Sequence, residues 1–163
     1  MGPLGPWSFR SEGGPLGPYD DVVASIFTRI IDGEIPGRFV WRDDTVAAWI
    51  DIRPLTPGHT LVVPILEIDR WTDLPVDVAL QCMQVAHAVA NAQLQIWPAS
   101  RAGLMIAGFE VPHVHLHVFP TDGMHNFDFR TANTNAAPGD LDADMHKLRA
   151  ALRELGHRDH VPD

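Results

Sequence analysis

Seven consecutive residues, His113-Val114-His115-Leu116-His117-Val118-Phe119, alternate imidazoles with apolar side chains. In an extended strand successive side chains point to opposite faces, so this run places three imidazoles on one face and Val114, Leu116 and Val118 on the other. The chain therefore needs a sheet with a core on one side and a row of histidines on the other. A merely solvated face is the plain alternative. Three histidines in register argue against it, because Thr, Lys or Arg decorate such a face without a ring that titrates near neutrality.

Two chemistries remain, metal binding and nucleophilic or acid–base catalysis. At about 3.4 Å per residue, His113 and His117 stand about 13 Å apart, too far to share one ion through bonds of ~2.1 Å. At most one His-x-His pair could chelate, with His59, His87, His125 or Asp51 as further ligands, and none of these shows a metal-ligand spacing. Nucleophilic catalysis fits better. A central imidazole can attack phosphorus while its neighbours orient it, bind phosphoryl oxygens and manage the leaving-group proton. We expect no metal and no cofactor.

The rest of the chain supplies alternating strand and helix signals. Val22, Val23, Ile26, Phe27, Ile30 and Ile31 recur at helical spacing, with Asp20 or Asp21 as the cap and Gly33 and Pro36 as the stop. Phe39 to Trp41 and Thr45 to Ile52 read as a hairpin about Asp43-Asp44, and His59 to Pro64 as a third strand. Pro75 to Trp97 is a long helix with Pro75 in its first turn. Gly103 to Ala107 and His113 to Phe119 return to strand, the second ending at Pro120. Leu141, Met145, Leu148, Leu152 and Leu155 form one stripe of a C-terminal helix with acids early and arginines late. The class is α+β. We expect a Gly/Pro-rich leader over residues 1–20, in which only Trp7 and Phe9 could dock on the body, one domain over 21–130, and a linker with a helix over 131–163.

Composition narrows the partners. Twelve Lys and Arg against 21 Asp and Glu give a net charge of −9, which disfavours a polyanionic partner such as nucleic acid. Apolar runs are broken too often for a membrane span. The single cysteine, Cys82, cannot form an internal disulfide, which points to a reducing, cytoplasmic setting.

The His-φ-His-φ-His-φ-φ pattern of His113 to Phe119 resembles the defining motif of the histidine triad, or HIT, nucleotide hydrolases and transferases. The approach Ala107-Gly108-x-x-Val111-Pro112 is similar to that family's, as are Ile26-Phe27-x-x-Ile30-Ile31-x-Gly33-Glu34-Ile35-Pro36 and Ala48-Trp49-x-Asp51-Ile52-x-Pro54-x-x-Pro57-Gly58-His59-x-Leu61-Val62-x-Pro64. The resemblance spans residues 26–129. It implies a HIT-like fold: a five-stranded antiparallel sheet with one long and one short helix plus the C-terminal helix, paired into a homodimer that joins two sheets. It implies His115 as nucleophile, His117 on phosphate and leaving group, and His113 and His59 as a supporting relay. Asp51 would hold ribose hydroxyls, while Ile26, Phe27, Ile30, Trp49 and Ile52 form a purine slot. The implied substrate is a purine nucleoside phosphoramidate or dinucleoside polyphosphate. A weakly active nucleotide-binding or interaction protein of the same fold, or a histidine-ligated metal enzyme, is the alternative.

The chain departs from the family at the phosphate side. Phe109 and Glu110 stand where relatives carry Gln and then Ser or Thr, so Glu110 enters the nucleotide site as a carboxylate expected to repel polyphosphate leaving groups. An upstream Asn is missing, Pro64 is followed by Ile65-Leu66-Glu67 instead of the usual basic residue and His, and the zinc-binding cysteines of some relatives are absent.

Overall fold

The computed structural model describes residues 23–163. The Gly/Pro-rich leader, with Trp7, Phe9 and the Asp20 or Asp21 cap, lies outside the described residues. The cap of α1 (Ile26–Ile31) is Ser25, whose hydroxyl accepts the Thr28 N–H at 3.1 Å. This helix is shorter than its apolar periodicity, because Val23 precedes the cap and is exposed.

Four strands follow the expected order with shifted ends: β1 (Phe39–Arg42), β2 (Val46–Ile50), β3 (Thr60–Pro64) and β4 (Arg101–Met105). The histidine run feeds β5 (Leu116–Thr121). All neighbours are antiparallel, in the order β1-β2-β3-β5-β4. β5 starts three residues later and ends two residues later than the sequence pattern predicts. Val62 pairs with Leu116, but Val114 N–H turns to the Ile68 carbonyl at 2.7 Å, so the chain has left β3 before His115. At the other end Pro120 lies inside β5. Pairing with β3 stops at Val118, so the missing proline N–H removes no bond on that side, and the Pro120 carbonyl accepts from Thr56 Oγ1 at 2.8 Å.

Two helices cover one face of the sheet. On α2 (Val76–Ile96), Cys82, Val85, Ala86, Val89 and Ala92 are buried against Val62, Leu116 and Val118. Pro75 is the residue just before this helix, not in its first turn. On α3 (Pro138–Glu154), Leu141, Leu148 and Leu152 join the same core, and Pro138 opens the helix. The C-terminal helix is therefore part of the body of the fold. The opposite face carries a smaller cluster of Phe27, Ile31, Ala47, Trp49, Leu61 and Val63 beneath α1. Because both faces are covered, every residue of β2 and β3 is buried, and neither strand shows the alternation of a half-exposed sheet. No helix among the described residues is long and apolar enough to cross a membrane.

Candidate active site

His113, His115 and His117 all lie on the side of the smaller cluster, although only His117 stands in β5. They are not solvated: their exposures are 0%, 5% and 6%. Burying an imidazole without partners is unfavourable, so each ring finds one, and main-chain groups dictate which nitrogen carries the proton. His115 Nδ1 lies 2.7 Å from the His113 carbonyl. A carbonyl only accepts, so Nδ1 holds the hydrogen and Nε2 keeps a lone pair.

The neighbouring ring is set from further away. Leu55 N–H donates to His59 Nδ1 at 3.0 Å, which forces the His59 proton onto Nε2. That Nε2–H donates to His117 Nδ1 at 3.0 Å. His117 therefore carries its own proton on Nε2. The result is adjacent rings, 4.9 Å between centroids, with a lone pair on His115 and a donor on His117. His113 contributes to this arrangement through its carbonyl. Its ring instead ties secondary structure together, donating from Nε2 to the Pro64 carbonyl at 2.8 Å and accepting at Nδ1 from Ser25 Oγ at 2.8 Å.

A cavity of about 180 Å³ opens over these rings. Ile26, Phe27, Ile30, Trp49 and Ile52 form its apolar walls, and Arg38, Asp51, Arg53, Glu110, His115 and His117 its polar part. All the expected slot residues thus meet in one place, although Ile52 is 66% exposed at the rim. Phe27 packs edge-on against Trp49 at 5.5 Å and His115 at 4.9 Å, so α1 fixes both the wall and the central ring. Asp51 stands just past the end of β2. Its Oδ1 accepts Arg53 N–H at 3.0 Å, its Oδ2 lies 3.7 Å from His59 Nδ1, and burial raises its pKa.

The phosphate-side expectation needs correction. Glu110 is not an uncompensated carboxylate, because Arg53 Nη2 meets it at 2.6 Å. Phe109 is 97% exposed and lines no part of this cavity. Sequence reading missed Arg53, Leu61 and Val111 in the lining, and Phe129, whose ring packs 4.8 Å from His117. It also missed Ser25, Thr28 and Glu67. The Thr28 hydroxyl donates to Glu67, which also accepts Ser25 N–H at 3.1 Å, so a carboxylate anchors the residue that holds His113. Only the Ser25 cap pattern could have signalled this.

A HIT domain family model matches residues 32–124, more than half of the chain. The chain belongs to the HIT family. An uncharacterized HIT-like protein of Borreliella burgdorferi is 35% identical over 115 residues, covering 66% of this chain and 83% of that protein. The adenosine 5'-monophosphoramidase HNT1 of Saccharomyces cerevisiae is 33% identical over 98 residues, covering 60% and 62%. A Zn-bound histidine triad family protein from Mycobacterium smegmatis shares the fold with a TM-score of 0.70 at 29% identity, covering 82% of this chain and 96% of that one.

The zinc of that HIT relative finds no fitting donor set among the described residues. Asp51, His59 and His117 bring one ligand atom each within 4.8 Å of one another. Both His59 nitrogens and His117 Nδ1 are already committed to hydrogen bonds, so an ion there would have to break the relay. Cys82 is buried in the core, its thiol pushed up to about 12 by burial. His87 and His125 are exposed and outside the cavity.

Burial dominates the titration of the four rings. It lowers His113 and His115, lowers His59 well below 6.5 with help from His117 and His115, and takes His117 down to about 3 with help from His115. The unfolded chain protonates these rings near pH 6.5 while the folded chain keeps them neutral, so the unfolded state binds more protons below that value. Stability is then complete above about pH 6.5 and falls as pH drops towards about 3. Urea denaturation at pH 7 and pH 5 reads this loss. His117→Asn should flatten the dependence by up to about one proton, about 1.4 kcal/mol per pH unit, and an unchanged slope would mean that the ring is charged in the fold.

Proposed function

We propose that the chain is a nucleotide hydrolase that cleaves at the α-phosphate of purine nucleoside phosphoramidates or dinucleoside polyphosphates through a nucleotidyl-His115 intermediate. The observation that carries this reading is the tautomer of His115: a buried, neutral ring with its Nδ1–H fixed on the His113 carbonyl and its Nε2 lone pair free. The likeness to the yeast phosphoramidase supports the substrate class.

In the first step His115 Nε2 forms a bond to the α-phosphorus, and the phosphorus–nitrogen or phosphorus–oxygen bond to the leaving group breaks. A departing amine nitrogen takes the Nε2 proton of His117, whereas a phosphate leaving group departs as the anion and only accepts a hydrogen bond from that Nε2–H. His59, donating into Nδ1, offsets the electron density left on that ring. In the second step water attacks phosphorus, its proton returns to His117 Nε2 after an amine has left or passes to solvent after a phosphate has left, and the His115–phosphorus bond breaks to release the nucleoside monophosphate. Splitting one displacement in two lowers each barrier. The apolar wall of Ile26, Phe27, Ile30, Trp49 and Ile52 would receive the base, and Asp51 the ribose hydroxyls. Glu110, balanced by Arg53, would frame the phosphate side without adding net charge.

His115→Ala removes the bond-forming atom and should abolish turnover of the best substrate in a panel of nucleoside phosphoramidates and dinucleoside polyphosphates. His113→Ala and His117→Ala should keep more residual rate, since they remove orientation or proton transfer and leave the bond-forming atom in place. Wild-type kcat in His115→Ala would end the mechanism.

Calorimetry tests the ribose site. Asp51→Ala should weaken AMP by about 1 to 3 kcal/mol, the range for a hydrogen bond to a charged group, and weaken its 2′,3′-dideoxy analogue much less. Equal losses would remove Asp51 from that role.

We also infer a homodimer. Strand β4 is an open edge with Leu104 exposed, and α2 exposes Val76, Leu80, Met83 and Leu94. An unprotected edge beside an apolar stripe favours pairing with a second copy. Sedimentation velocity should give twice the 18.0 kDa chain mass, with Leu80→Glu shifting it to monomer; a monomeric wild type would refute the pairing.

A further inference from the structure

Every polar group of the Gly58 peptide unit is held from outside its own turn. Its N–H donates to Asp144 Oδ2 on α3 at 2.9 Å. Its carbonyl accepts from Thr60 Oγ1 and from Gln93 Nε2 of α2, each at 2.9 Å, and Gln93 also reaches the Val118 carbonyl at 2.9 Å. Both partners of Gln93 are carbonyls, so its amide nitrogen must face them. The backbone at Gly58 has φ +82°, and a Cβ there would run into the Trp97 ring. The turn is therefore fitted against the C-terminal end of α2 and the second turn of α3, with no room for another residue type.

The next residue is His59, whose ring sets the proton position of His117. Its N–H returns to the Thr56 carbonyl at 3.1 Å, and its Nδ1 accepts Leu55 N–H, so Leu55 to His59 moves as one unit with Gly58 at its fixed point. Asp144 is nearly buried, with 9% exposure, and lies 20 residues beyond the last one matched by the HIT family model. Lys147 Nζ stands 3.6 Å from the other carboxylate oxygen, a half-exposed ion pair that adds little to the hold on the loop.

We propose that Asp144 is a positioning residue for the histidine relay: α3 uses it to lock the Gly58 peptide, and so holds His59 where its Nε2–H meets His117. Without Asp144 the Gly58 N–H is a buried donor with no acceptor, and the turn reorganises to find one. His59 then loses its hold on His117, and both tautomers of that ring become available. The consequence for turnover rests on the function proposed above; the consequence for the tautomer does not.

The experiment compares full-length Asp144→Ala, Asp144→Ser and Asp144→Asn with wild type. Asp144→Ala should lower kcat on the best phosphoramidate about tenfold, the equivalent of one lost hydrogen bond of about 1.4 kcal/mol, while AMP affinity stays within about twofold because the nucleotide slot is untouched. Asp144→Ser should behave alike, Asp144→Asn should restore most of the rate, and Lys147→Met should leave it near wild type. Nitrogen-15 spectra of labelled histidines read the relay directly: wild type should show His117 protonated at Nε2 alone, and Asp144→Ala a mixture. Unchanged kcat, or an AMP affinity that falls as far as kcat, would overturn the inference. So would an unchanged His117 pattern. A changed pattern in a protein that turns over no substrate would support the positioning role and refute the proposed activity instead.

Discussion

Four buried neutral imidazoles set the terms for the rest of this structure. Burial penalises the charged form of each ring, and the remaining nitrogen of a neutral ring still demands a partner. The fold meets that demand with main-chain groups at defined places: the His113 carbonyl for His115, Leu55 N–H for His59 and the Pro64 carbonyl for His113. Backbone partners cannot rotate away as side chains can. They therefore fix tautomers, and the tautomers leave one lone pair and one donor side by side.

Holding those main-chain groups still requires packing on both sides of the sheet. Beneath α1, Phe27 touches Trp49, His113 and His115, so the wall of the cavity and the rings beside it are one packed unit. On the far side α2 and α3 bury Val62, Leu116 and Val118, the residues that alternate with the histidines and their β3 neighbours. The chemistry face is thus braced by a core it never touches. Polar side chains from that core side, Gln93 and Asp144, reach through to the loop ahead of β3.

Charge is handled locally despite the net −9. The two arginines lining the cavity are each paired with a carboxylate, Arg53 with Glu110 and Arg38 with Asp142. These pairs are largely exposed and add little stability. Their effect is to leave neither arginine at the cavity as a bare cation.

By itself the sequence determined the strand alternation of the histidine run, the order of strands and helices, and the family, because these rest on periodicity and on motifs that are local in the chain. The same locality let His59, Asp51, Trp49 and the α1 residues be named as companions of the triad. Tertiary structure decided what those residues do to one another. Which nitrogen of His117 carries its proton depends on Leu55 N–H acting through His59, and the pairing of Glu110 depends on Arg53, 57 residues away. The start of β5 differs from the sequence pattern because Val114 N–H turns to the Ile68 carbonyl instead of pairing with β3, a contact that the local pattern does not carry. Asp144 looked like one more acid early in an amphipathic helix; only the packing of α3 against the Gly58 turn gives its carboxylate a buried amide to accept, since that contact joins segments 86 residues apart.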